Sequence, residues 1–173
     1  MTKFYSMCSK NSKKSAVAHA ARDLDDLSLW ELIDGINSPE EWPDLRFELG
    51  DGQITDLPPT DILGRLCSPK LVSVVSSFDA DIMWLPVKLH KAANELGYYF
   101  MHFRSVPDTL NKEKTVYVAG SVFTPHLSLT KASQFPLFIL HPRDSLTFVR
   151  QDVKNAIESA GCVGVEFEKV AAS

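Results

Sequence analysis

A strand–helix–strand pattern occurs twice in this chain and limits how it can fold. In the closing stretch, Leu146 to Val170, a short apolar run from Leu146 to Val149 reads as a strand. Val153, Ala156, Ile157 and Ala160 then fall at the i, i+3, i+4, i+7 spacing of one helical face. Gly161 follows, where a left-handed helix-ending residue costs least. Val163, Val165 and Phe167 alternate with Gly164, Glu166 and Glu168, the two-residue period of a half-buried strand. Elements joined this tightly make a βαβ-like packing unit, and it contains no catalytic group.

The same order occurs earlier. Ile62 to Leu66 reads as a strand, Ser68 as an N-cap and Pro69 as the favoured first helical residue. Leu71, Val74, Val75 and Phe78 repeat the helical face, Asp79-Ala80-Asp81 turns the chain, and Met83, Leu85, Val87 and Leu89 alternate. An offset of 82 residues lays Leu71, Val74, Val75 and Phe78 on Val153, Ala156, Ile157 and Ala160. The same offset lays Met83 and Leu85 on Val165 and Phe167. The copies differ at the helix start, where Arg150 replaces Ser68. A lost N-cap hydroxyl typically costs ~1 kcal/mol, and Asp152 in the first turn offsets part of it through the helix dipole.

Around these units the chain reads mainly as strands. Phe4 to Cys8 opens as a strand, and Ala16 to Ala21 is short and helix-prone. Leu29, Leu32, Ile33 and Ile36 give a helical face that Ser28 and Glu31 begin with a capping box. Leu45, Phe47 and Leu49 alternate as a strand before the turn Gly50-Asp51-Gly52. Leu96-Gly97 turns the chain into a strand from Tyr98 to Phe103. Pro107 to Lys114 reads as a loop, and Thr115 to Val118 and Phe135 to Leu140 as further strands. The expected class is α+β, a mixed or antiparallel sheet with a few short helices, in a single domain over residues 1–173.

No apolar run approaches the ~20 residues that span a bilayer. The lysine-bearing start MTKFYSMCSKNSKKS lacks the apolar centre of a signal peptide. Cys8, Cys67 and Cys162 are odd in number and far apart, which points to free thiols in a reducing compartment, the cytoplasm. Charge is uneven. Between Asp23 and Asp51 ten carboxylates face Arg46 alone, and the chain outside that stretch is mildly basic; residues 1–45 read as a variable acidic part. Such an acidic part disfavours nucleic acid, whose phosphates are met by Lys and Arg. It suits a basic protein partner. Asp23, Asp25, Asp26, Trp30, Glu31, Asp34, Glu40, Glu41 and Trp42 are the candidate contact residues. Clustered carboxylates steer a basic partner and Trp is enriched at binding hot spots; the plainer alternative is a solvated helix face with both tryptophans in the core.

Signatures of catalysis are missing from the sequence. It has no phosphate-binding glycine loop, dinucleotide fingerprint, HExxH helix or paired CxxC. Asp79-x-Asp81 could hold a metal–nucleotide, but a helix-to-strand turn accounts for it. His19, His90, His102, His126 and His141 have no ligand spacing, and His102 reads as a half-buried strand residue beside Tyr98 and Phe100. Cys162 reads as a small buried hydrophobe. No catalytic residue, metal or cofactor is expected.

The closing segment TFVRQDVKNAIESAGCVGVEFEKV, with its Gly164-Val165-Glu166-Phe167 ending, resembles the end of a family of bacterial immunity proteins from polymorphic toxin systems. It is the family numbered eleven among such proteins, with a sister family numbered forty-three. RLCSPKLVSVVSSF followed by Trp84-Leu85-Pro86-Val87 is similar to that family's first helix and next strand. Gly97-Tyr98-Tyr99-Phe100 and the loop Val106 to Asn111 fit the segments after it. The likeness covers residues 46–170 as a family-like core; Arg150, Asn111 and Thr115 depart from the pattern, and the acidic part lies outside it. The resemblance implies a cytoplasmic protein that neutralises one cognate toxin domain by direct one-to-one binding, without catalytic residues. The alternatives are an enzyme that reverses the toxin's modification and a small-molecule-binding module.

Overall fold

The computed structural model describes residues 2–10, 12–20, 44–61, 65–141 and 146–173. Among them the chain is α+β, as its patterning indicates. Strands β1 (Phe4–Ser9), β2 (Ala18–Ala20), β3 (Arg46–Leu49) and β4 (Leu66–Cys67) precede helix α1 (Pro69–Val75). Then come β5 (Ile82–Lys91), β6 (Asn94–Phe103), β7 (Val116–Val118), β8 (Ser121–Thr124), β9 (His126–Leu127) and helix α2 (Leu129–Ala132). β10 (Leu137–Phe138), β11 (Thr147–Arg150), helix α3 (Gln151–Ser159) and β12 (Val165–Ala172) complete the order. One five-stranded sheet runs β2-β3-β5-β6-β4, a second β10-β11-β1-β12-β9, and β7 and β8 form a separate pair.

Both repeated units prove to be split. β4 and β5 flank β6, each antiparallel to it, so they run parallel to each other with α1 as the crossover. β11 and β12 flank β1 in the same way with α3 as the crossover. The central strand of the first unit follows directly as a hairpin; that of the second comes from the other end of the chain. Leu71 and Val75 of α1 and Val153 and Ile157 of α3 join one core cluster with Cys67 and Met101 from one sheet and Met7 and Val149 from the other. Amphipathic pairing of the two helices thus fuses the two sheets around one core. Further clusters lie around Phe47, Leu89 and Phe100, and around Phe4, Phe138 and Phe148.

The offset of 82 holds for the first strand and the helix of each unit, but not for the last strand. Phe100 lies between Leu66 and Leu85, whereas Ser6 lies between Phe148 and Glu168, an offset of 82 on one side and 83 on the other. The structural equivalents of Val165 and Phe167 are therefore Ile82 and Trp84, not Met83 and Leu85. All four pack against the shared helix cluster. Leu85 and Leu89 point into the cluster on the opposite face.

Other elements also differ from expectation. Ala18–Ala20 is a strand, not a helical turn, because β3 supplies its ladder and Asp61 Oδ1 accepts the Ala20 N–H at 3.0 Å. Gly97 lies inside β6 opposite Lys88, and the turn is at Ala92, whose φ is 53°. β4 is confined to Leu66–Cys67, with residues 62–64 outside the described set. The expected helix at Leu29 to Ile36 lies outside it too. The helix starts behave as their residues dictate. Ser68 Oγ accepts the Leu71 N–H at 3.2 Å, while Arg150 makes no capping bond and instead clasps Asp152 with Nε and a terminal nitrogen at 2.8 and 2.7 Å. No helix among the described residues is long and apolar enough to cross a membrane.

Candidate functional site

The most unusual surface among the described residues is the β7–β8 hairpin. Its seven strand residues are all exposed, yet they include Val116, Tyr117, Val118, Val122 and Phe123. Two runs of β-branched and aromatic residues flank Ala119 and Gly120, both at positive φ (49° and 82°), as the tight turn of a hairpin requires. A hairpin of this size is marginal by itself in water, so its base has to be held. Thr115 Oγ1 donates to the Asn111 carbonyl at 2.8 Å and accepts the His126 N–H at 3.2 Å. Asn111 N–H in turn donates to the His126 carbonyl at 2.8 Å. Asn111 and Thr115 thus clamp the hairpin to β9.

Within the hairpin the register slips. Val116 faces Thr124 and Tyr117 faces Val122, leaving Phe123 as the extra residue of a bulge. Bulges re-aim side chains and twist the strand that carries them. Phe123 is 72 % exposed, the largest fraction among the described large apolar side chains. Beside it lies a hollow of about 460 Å³ lined by Val122, Phe123, Pro125, Leu140, Leu146 and Phe148, with His141 at one side. From Thr115 to Pro125 the chain carries no charged side chain. Val118 (54 %) and Val116 (50 %) extend the apolar surface on the hairpin. Monomeric proteins seldom leave so concentrated an apolar surface in water unless something binds it.

The nine residues expected from the sequence as partner contacts are not among those the structure describes. Asp23, Asp25, Asp26, Trp30, Glu31, Asp34, Glu40, Glu41 and Trp42 all fall outside the described residues. Only the end of the acidic stretch is described, and there Asp44 is matched by two cations. Asp44 meets Arg46 at 2.7 Å and Lys88 at 3.2 Å, and hydrogen bonds from these two cations hold its carboxyl below the usual range. The expected strand Thr115 to Val118 proves to be one arm of a hairpin whose second arm, Ser121–Thr124, is not among the expected strands. The signal was there: apolar runs on both sides of a two-residue Ala119-Gly120 turn.

Groups weighed for chemistry have structural surroundings. Asp81 pairs with Arg104 Nε at 3.0 Å, and His102 is buried in β6. Cys67, Cys8 and Cys162 are free thiols, and burial raises the pKa of each, which suppresses thiolate reactivity. Burial likewise pushes Tyr98 up to about 12, and its hydroxyl donates to the Thr55 carbonyl at 2.7 Å. Among the described residues no group of His, Cys, Asp and Glu is placed to hold a metal. No protein-family model matches the chain, and no curated protein matches it either.

Proposed function

We propose that this chain is an immunity protein that binds a cognate toxin domain one to one, in the cytoplasm of the producing cell, and thereby neutralises it. The observation that carries the reading is the uncharged, apolar β7–β8 hairpin with Phe123 projected at the edge of a hollow. Aromatic side chains beside pockets are the usual centres of binding energy in protein interfaces. The resemblance of residues 46–170 to polymorphic-toxin immunity proteins supplies the class of partner. In this reading the hairpin supplies the apolar centre of the contact. The acidic residues Asp23 to Glu41 steer a basic toxin toward it, chiefly through the association rate.

The test is co-expression with the toxin-domain product of the adjacent gene. Protection of growth that tracks a one-to-one complex supports inhibition; protection at a small fraction of the toxin's concentration contradicts it and favours an enzyme. The hollow itself favours a second reading, a small-molecule-binding module, since ligand pockets span about 300–1,000 Å³ and are mainly apolar. Isolation of the full chain with a stoichiometric apolar compound would support that module over the inhibitor.

A further inference from the structure

We propose that, when no toxin is present, the hairpin surface pairs two copies of this chain about a two-fold axis, each copy's Phe123 entering the other's hollow. The inference rests on the reading of the hairpin as a protein-binding surface. It goes further by naming an occupant the chain itself supplies.

The geometry is self-complementary. Phe123 is a protruding ring at the wall of an apolar hollow of about 460 Å³, so a protrusion and a recess share one surface. A two-fold axis brings each protrusion onto the other copy's recess, so that residue i meets j and j meets i. The hollow offers Leu140, Leu146 and Phe148 as apolar walls for the incoming ring. Because a bulge, and not the regular ladder, sets the direction of Phe123, the protrusion is built into the register of the hairpin.

Charge selects the same surface. The chain carries a net charge of −4, so copies that meet through carboxylates repel. Thr115 to Pro125 is free of charge, which lets two acidic copies approach there without facing like charges. Backbone chemistry adds to this. Among the described residues, β7 and β8 pair only with each other, leaving an outer edge on each strand. Antiparallel pairing with the same edge of a second copy would satisfy those N–H and C=O groups.

Size sets the strength. A stable interface of standard size needs about 800 Å² from each partner. Val116 to Pro125 with Leu140, His141, Leu146 and Phe148 are fewer than the roughly 20–30 residues a side of such an interface, so the pair is weak and readily displaced by a toxin that binds a wider surface. Pairing would then keep the apolar hairpin out of water until a partner arrives.

The experiment is sedimentation equilibrium of the full chain from about 1 to about 500 µM, beside Phe123→Asp and Tyr117→Ser variants. A reversible dimer with Kd on the order of 10–100 µM is expected, with at least a tenfold loss of association in Phe123→Asp. Association should persist in 0.5 M salt, because apolar contacts are not screened. An unchanged thermal midpoint shows that Phe123→Asp has left the fold intact. A wild-type monomer at every concentration overturns the pairing, and so does a dimer that Phe123→Asp leaves unaltered. The two ideas separate cleanly. A monomer whose toxin protection is lost on Phe123→Asp sinks the pairing alone; a Phe123-dependent dimer with intact protection in Phe123→Asp sinks the hairpin as toxin contact.

Discussion

Asp56 accepts the backbone N–H of Val163 at 2.7 Å, across 107 positions of sequence. Its other carboxylate oxygen accepts the hydroxyl of Ser68, the N-cap of α1. The backbone joins in, with Asp56 N–H donating to the Val163 carbonyl and Ser68 N–H to the Asp56 carbonyl, both at 2.9 Å. One carboxylate therefore fastens the start of the first unit's helix to the turn that follows the second unit's helix. Asp56→Ala leaves the Val163 N–H without its charged acceptor and removes the partner of the buried Ser68 hydroxyl. A loss of about 2–4 kcal/mol is expected from unsatisfied groups of this kind, read as a lower urea midpoint with unchanged slope.

The glycines of that turn differ in what surrounds them. Gly164 has φ +76°, and a Cβ there would come within 2.3 Å of Thr55 Cβ. Gly161 has φ +65° with only Lys70 Nζ nearby, at 3.8 Å. Gly161→Ala should therefore cost about 1–2 kcal/mol, the left-handed penalty alone, and Gly164→Ala clearly more. Gly97→Ala, with nothing within 4 Å of the new methyl, should be neutral or stabilising by about 0.4–1 kcal/mol. Equal unfolding midpoints for the three variants would refute this ordering.

Acid should act at the second unit's helix start. Hydrogen bonds from Arg150 hold the Asp152 carboxyl below its ordinary range. A carboxyl depressed in the folded state contributes stability that is complete above its unfolded pKa of about 3.9 and is lost as pH falls through the folded value. Wild-type stability should therefore include a decrement below about pH 4 that Asp152→Asn lacks. The pair is more than a quarter exposed on both sides, so the decrement is small. Indistinguishable pH profiles of the two proteins below pH 4 would count against it.

How far the sequence reveals this molecule depends on what each residue's neighbours are. Helices α1 and α3 were legible because Leu71, Val75, Val153 and Ile157 all turn to one cluster, and a one-sided helix writes its own period; the single turn of α2, Leu129–Ala132, is too short to show one. The last strand of the first unit misled by one residue. β5 is apolar on both faces, with Ile82 and Trp84 on the helix side and Leu85, Val87 and Leu89 on the other. A strand buried on both faces carries no alternation that tells them apart. Ala18 to Ala20 became a strand through its partners β3 and Asp61, a tertiary choice that propensity does not contain. That β1 lies between β11 and β12 also rests on contacts between opposite ends of the chain. As for the site, clustered carboxylates and tryptophans mark Asp23 through Trp42 in the sequence, while of the hairpin only Thr115 to Val118 reads as strand. Exposure distinguishes Phe123 from a core phenylalanine, and exposure is a property of the fold.

The β7–β8 hairpin is proposed as the apolar centre of a contact with a toxin domain, and calorimetry decides it: the affinity of wild type and of Phe123→Asp for the toxin domain against which the chain protects. A one-to-one complex is expected that Phe123→Asp weakens by at least 30-fold, about 2 kcal/mol or more, as at an interface hot spot, with the thermal midpoint of the free protein unchanged. A folded Phe123→Asp protein that binds that domain as tightly as wild type would rule the hairpin out.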